Sequence, residues 1–133
     1  MTTITSQTDT TRAIMVRMYD SAGKGDYEDV LSLLSEDLVV HEPPFLPYGA
    51  VYHGLDGMRD LIGKVNQVLD VSKIRVDRMV AEGDRAIGII RMPDHKTGEP
   101  IVLAEESVVR DGKVVEIFVY FHETQTLLTS PKI

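Results

Sequence analysis

A carboxylate, two imidazoles and two phenols are gathered in one short stretch, Val39 to Gly54, and they set what chemistry this chain can do. Val39-Val40 has strand character and leads into His41-Glu42, after which Pro43, Pro44 and Pro47 fall within five residues. Proline lacks an N–H donor and ends ladder pairing, so Glu42 stands where a strand breaks up. Phe45, Leu46, Tyr48, Val51 and Tyr52 make its surroundings apolar and aromatic. A Glu in such a setting favours its neutral form and can exchange protons near neutral pH. The expected chemistry is proton transfer with Glu42 as base. His41 and His53 are further acid/base candidates, because imidazole titrates near neutrality. Phe45, Tyr48 and Tyr52 are candidates to contact and orient a substrate. The plainer alternative is a solvated strand end. A zinc or iron site on His41, Glu42 and His53 is a rival, but neighbouring strand residues face opposite ways, so no metal is expected.

The elements that must position these residues follow from hydrophobic periodicity. Met15, Met18, Tyr19 and Ala22 recur at spacings of three and four, which predicts a helix over residues 12–24. Asp26 is a candidate N-cap for a second helix with Asp29 at the capping-box offset and Tyr27, Val30, Leu31 and Leu34 as its inner stripe. Leu38 to Glu42 and Ala50 to His53 read as strands. Met58, Leu61, Ile62, Val65 and Leu69 form the clearest amphipathic helix. From residue 72 the period changes to two. Four strands follow, joined at Gly83-Asp84, at Pro93 to Gly98 and at Asp111-Gly112, the last a type I′ hairpin dipeptide. Helices grouped before a meander predict an α+β domain with helices on one face of one sheet. In the last strand Val115, Ile117, Val119 and Phe121 share one face, while Val114, Phe118 and Tyr120 make the opposite face apolar too. That second apolar face predicts a homodimer through the outer side of the sheet.

The chain of 133 residues suffices for one domain, expected over residues 12–123, between a flexible N-terminus (residues 1–11) and a loose tail (residues 124–133). A net charge of −7 argues against nucleic-acid or anionic-membrane partners. Cysteine is absent, which removes thiolate chemistry and disulfides. Neither a signal-peptide start nor a long apolar run is present, and the expected location is cytoplasmic.

This element order, with Lys24-Gly25-Asp26, Val40-His41-Glu42-Pro43, His53-Gly54-Leu55-Asp56-Gly57 and Arg110-Asp111-Gly112-Lys113-Val114-Val115-Glu116, resembles the nuclear transport factor 2-like superfamily. Within it the chain looks most like the SnoaL-like polyketide cyclases and ketosteroid isomerases. The resemblance implies a cone-shaped, curved antiparallel sheet with three helices on its concave face around a pocket. It also implies a proton-moving carboxylate before a proline, matched by Glu42-Pro43, and a protonated acid before the last hairpin. Counting back from Asp111-Gly112, Glu106 matches that acid, and strand alternation is read as turning it inward; the alternative is an outward Glu106 paired with Lys or Arg, with Glu105 inward. Ketosteroid isomerase is the familiar case of such a base and neutral acid. The isomerase tyrosine falls on Met18, beside Tyr19. SnoaL-type cyclases place an acid/base late in the sheet, where His122 stands; it serves if a bulge turns it inward, whereas simple alternation with Phe121 points it outward.

The expected activity is therefore that of a cofactor-independent isomerase, aldol cyclase or dehydratase. It would act next to a carbonyl of an apolar cyclic or polyketide-like molecule, with Glu42, Glu106 and His122 as catalytic residues. Tyr19, Met18, Met58 and Phe121 complete the expected substrate contacts, methionine being suited to an adaptable apolar wall. Glu42→Gln is expected to cost far more activity than Glu105→Gln. A hydrophobic-ligand-binding dimer without chemistry is the alternative. The limonene epoxide hydrolase branch has Arg-x-Asp and Tyr-Phe-Asp where this chain has Arg91-Met92-Pro93 and Tyr120-Phe121-His122.

Overall fold

Ser6 starts the first helix, because its side-chain oxygen accepts from the Asp9 N–H at 3.0 Å and satisfies one of the free donors of the first turn. The computed structural model describes residues 6–122, 125–128 and 131–133. Helix α1 (Gln7–Gly23) begins ahead of the expected residue 12. The extra turns are held from outside. The Thr11 hydroxyl donates to the Gly83 carbonyl at 2.7 Å, and the Thr8 hydroxyl accepts from the Gly83 N–H at 2.8 Å. Residues 6–11 are therefore ordered helix and cap rather than a flexible lead, a tertiary clasp that apolar periodicity does not register.

Helix α2 (Tyr27–Ser32) is capped by Asp26, which accepts from the Asp29 N–H as the capping offset predicts. The Asp29 side chain turns back to α1, where Arg17 and Ser21 donate to it. Those donors, Arg17 foremost, lower its carboxyl to about 2. Strand β1 (Leu34–His41) follows directly, then β2 (Val51–His53), α3 (Gly54–Val68), and the four strands β3 (Arg75–Glu82), β4 (Arg85–Pro93), β5 (Pro100–Arg110) and β6 (Lys113–Phe121). Asp111 and Gly112 have φ of 51° and 75°, as a type I′ hairpin requires. A short helix α4 (Gln125–Leu128) lies near the C-terminus.

The fold is α+β: one curved six-stranded sheet in the order β2-β1-β6-β5-β4-β3, not closed into a barrel. Every neighbouring pair is antiparallel except β1 and β6, which run parallel. Helix α1 packs on β3 and β4, and α3 packs on β1 and β2. The core lies between them, with Met15, Leu38, Ile90 and Ile101 almost fully buried. The tail is not loose where it is described. Leu127 is buried, the Ile133 N–H donates to the Pro47 carbonyl at 2.9 Å, and Lys132 Nζ donates to the Pro44 and Leu46 carbonyls. Residues 123 and 124, where the domain and tail were expected to meet, lie outside the described residues.

The outer sheet face mixes aromatic and ion-paired residues. Tyr120 is 54% exposed, and beside it Arg85 pairs with Glu106 at 2.7 Å and Arg91 with Asp77 at 2.6 Å.

The Thr11–Gly83 bond is buried at the helix–hairpin contact. Thr11→Val keeps the shape, removes the donor and leaves the Gly83 carbonyl short of a partner. It should lower unfolding free energy by about 1–2 kcal/mol, measured by urea denaturation.

Candidate acid/base site

Strand β1 ends as the sequence predicts, and Glu42 follows it with its N–H bonded to the Ala50 carbonyl at 3.0 Å. Leu38 and Val40 face the helices, so alternation turns Glu42 the same way. It is 8% exposed, and its Oε1 has no hydrogen-bond partner among the described residues. Burial, and after it the charge of Glu105, pushes its carboxyl well above the ordinary carboxylate value.

Glu105, not Glu106, is the inward acid of β5. Ile101, Leu103, Glu105, Ser107 and Val109 lie on the core side, and Gly88 of β4 is the register partner of Glu105. The Tyr19 hydroxyl donates to Glu105 Oε1 at 2.9 Å. Burial raises the Glu105 carboxyl, and the Tyr19 bond pulls it back down. What solvent access Glu105 keeps is on the wall of the cavity. A Cβ at Gly88 would stand 3.0 Å from the Tyr19 hydroxyl and 3.2 Å from its ring. Glycine is what lets the phenol lie across β4 and reach the carboxylate on the next strand.

Glu42 and Glu105 line one cavity of about 100 Å³ between the helices and the sheet. Met18 and Ala22 of α1, Met58 and Leu61 of α3, and Ile90 and Met92 of β4 supply apolar walls. No Lys, Arg or His is among the described residues that line it. Two acids facing one apolar-walled space without a cation cannot both ionise readily. Tyr48 is buried behind them; burial first, then the charges of Glu42 and Glu105, holds its phenol above the ordinary tyrosine value.

The structure thus brings together Glu42, Tyr19, Met18 and Met58 of the expected set, adds Glu105, and sets Tyr48 close by. Tyr52 is buried but spends its hydroxyl on the Tyr48 carbonyl at 2.6 Å, with Lys64 Nζ 5.3 Å from its ring centre. It supports the loop rather than lining the cavity. Phe121 packs on the edge of the core. Four expectations fail on geometry. Glu106 points outward to Arg85, with the Tyr120 hydroxyl donating to it at 3.2 Å. His122 is exposed on the outer face, with Arg91 and Asp77 in the same groove, so no bulge turns it inward. His41 faces outward, paired with Glu116 at 2.7 Å and stacked on Phe118 at 4.5 Å. Phe45 is 51% exposed beside that stack. His53 occupies the N-cap position of α3 without a side-chain capping bond. No cluster of three potential metal ligands forms among the described residues.

Glu105 was legible in principle. The bulkier set Ile101, Leu103 and Val109 marks its face, and an isolated glycine in β4 marks a close approach. Tyr27 and Asn66 also line the cavity, and only the tertiary fold brings them together.

Comparison with known proteins bears on the fold. Residues 15–117 match the family described as SnoaL-like domain. No curated protein matches the chain. Among solved structures, Bal32a from a soil-derived mobile gene cassette is 16% identical and superposes with a TM-score of 0.79 over 90% of this chain and 95% of its own. A nuclear transport factor 2-like protein of unknown function from Mesorhizobium loti is 21% identical, with a TM-score of 0.74 over 91% of this chain and 98% of its own. A protein from Kribbella flavida proposed to be a ketosteroid isomerase is 23% identical, with a TM-score of 0.72 over 89% of this chain and 82% of its own. No helix among the described residues is long and apolar enough to cross a membrane.

The acid pair gives stability a pH dependence of known sign. In the folded protein both carboxyls sit above their ordinary value of 4.5. Groups raised in this way contribute stability that is full below the unfolded value and lost as pH climbs through the folded one. Glu42→Gln removes that loss for one group. Its stability relative to the wild type should rise as pH increases above 4.5 and level off below it, read from urea unfolding across the pH range.

Proposed function

The chain belongs to the SnoaL-like domain family, and on that premise we propose that it is a small-molecule acid/base enzyme. It moves a proton next to the carbonyl of an apolar substrate, in an isomerisation, an aldol cyclisation or a dehydration. The observation that carries this reading is the pair Glu42 and Glu105 in one apolar cavity lined by no basic side chain among the described residues.

The two acids hold one proton between them at neutral pH. Tyr19 donates to Glu105 and favours charge there, while Glu42 Oε1 has no donor among the described residues and favours the neutral acid. The Glu105 carboxylate takes the proton from the carbon beside the carbonyl. The Glu42 acid donates a hydrogen bond to the carbonyl oxygen as negative charge develops on it, where a dry site makes that bond most effective. Return of the proton from Glu105 to a different carbon completes an isomerisation. Attack of the enolate on a second carbonyl, whose oxygen takes up the proton held by Glu105, completes a cyclisation. Loss of a hydroxyl group, with a proton supplied by Glu42, completes a dehydration. Glu42 thus becomes the acid rather than the base expected from its place before Pro43, because it is the carboxyl without a donor.

Exchange of the protons beside a ketone carbonyl with deuterium oxide, followed by proton NMR on cyclohexanone, isolates the common first step. Wild-type protein should accelerate exchange above buffer. Glu42→Gln and Glu105→Gln should each lower the rate by about 10²–10⁴-fold. Glu106→Gln, on the outer face, should leave it within about twofold, since surface changes away from a site have small effects. Exchange at buffer rate while the ketone binds would instead make the cavity a ligand carrier.

A further inference from the structure

The polar groups of the cavity come from two sides of the fold. Glu42 after β1 and Glu105 of β5 belong to the sheet, whereas Tyr27 of α2 and Asn66 of α3 are half-buried members of the same lining that come from the helices. The stretch between them is apolar, with Met18, Ile62, Val65 and Ile74 among its members.

The Tyr27–Asn66 pair is oriented and incompletely used. Asn66 Nδ2 donates to the Ile62 carbonyl at 2.8 Å and to the Tyr27 hydroxyl at 3.1 Å. A backbone carbonyl accepts only from the amino side of the amide, so the first bond fixes which way Asn66 faces. The Asn66 backbone carbonyl is itself tied to His95 Nε2 at 3.0 Å. With both amide protons placed, the remaining capacity is Oδ1, whose contact with the Tyr27 hydroxyl is a long 3.3 Å. The Tyr27 proton is equally short of a good acceptor. The pair therefore offers one donor and one acceptor side by side.

We propose that Tyr27 and Asn66 form a second recognition point that takes a hydroxyl group of the substrate, at the end remote from its reacting carbonyl. A hydroxyl matches the pair because it accepts from Tyr27 and donates to Asn66 Oδ1. A carboxylate or phosphate would meet no cation among the described lining residues and two acids in the same cavity. The volume of about 100 Å³ is smaller than the roughly 150 Å³ of an engineered cavity that admits benzene, which limits the buried part to a single ring. The substrate class is then a hydroxylated monocyclic ketone. This rests on the acid/base reading of Glu42 and Glu105.

Two probes test it: cyclohexanone, and cyclohexanone carrying a hydroxyl on the ring carbon opposite the carbonyl. Affinities come from amide-shift NMR titrations, and proton exchange is followed on the same samples. Wild-type protein should bind the hydroxy-ketone about five- to tenfold more tightly. Tyr27→Phe and Asn66→Leu should each bring the affinity ratio to about one. Equal affinities in the wild type, a preference that survives both variants, or no binding of either ketone overturns the proposal. A preference without proton exchange upholds the recognition point and removes the acid/base reading. Exchange of both ketones with equal affinities does the reverse.

Discussion

Two carboxyls face one apolar cavity, and no basic side chain among the described residues offsets them. In water both would be charged at neutral pH. Here desolvation penalises each charge, and the charge of Glu105 adds to the penalty on Glu42, so both carboxyls sit above their ordinary value. Folding has to tolerate this, and the surrounding packing is what holds the acids in place. Leu38, Val40, Ile90, Ile101 and Leu103 are core residues of the strands that carry or flank Glu42 and Glu105. An acid that cannot swing out to solvent is one whose protonation can be set by its neighbours.

The neighbours are set by backbone geometry. Glu105 lies opposite Gly88 in the β4–β5 register, and the missing side chain at Gly88 leaves room for Tyr19. That phenol separates two otherwise similar carboxyls. One gains a hydrogen bond at 2.9 Å, and the other has an oxygen with no described partner. A hydrogen-bond donor on one of two buried acids favours charge on that one. The clasp of Thr8 and Thr11 on Gly83 fixes α1, and with it the position of Tyr19, on the sheet.

The two faces of the sheet do different work. The helix-covered face carries the carboxyl pair. The outer face carries His41 paired with Glu116, Glu106 paired with Arg85, and Arg91 paired with Asp77. Each of these ion pairs uses groups whose residue types suggest acid/base chemistry, and each is accounted for by a partner on the same face. Titratable side chains at strand positions are therefore divided by alternation alone: one face holds acids with few partners, the other holds acids with partners.

The sequence by itself determined the α+β class, the grouping of helices before a meander, the Asp111-Gly112 turn and the strand end at Glu42. These follow from local patterns: periodicity, turn chemistry and the proline that ends a strand. It separated Glu105 from Glu106 only by the greater bulk of Ile101, Leu103 and Val109 on the Glu105 face, a weak signal because β5 is apolar on both faces. It did not place His122 and His41, whose faces depend on register with neighbouring strands. It missed the first turns of α1, held by contacts about seventy residues away in sequence. Tertiary structure decided the second acid, the Tyr19 donor over Gly88, the parallel pairing of β1 with β6, and the meeting of Tyr27 with Asn66. Each joins residues far apart in the chain, and their proximity comes from packing that no local pattern encodes.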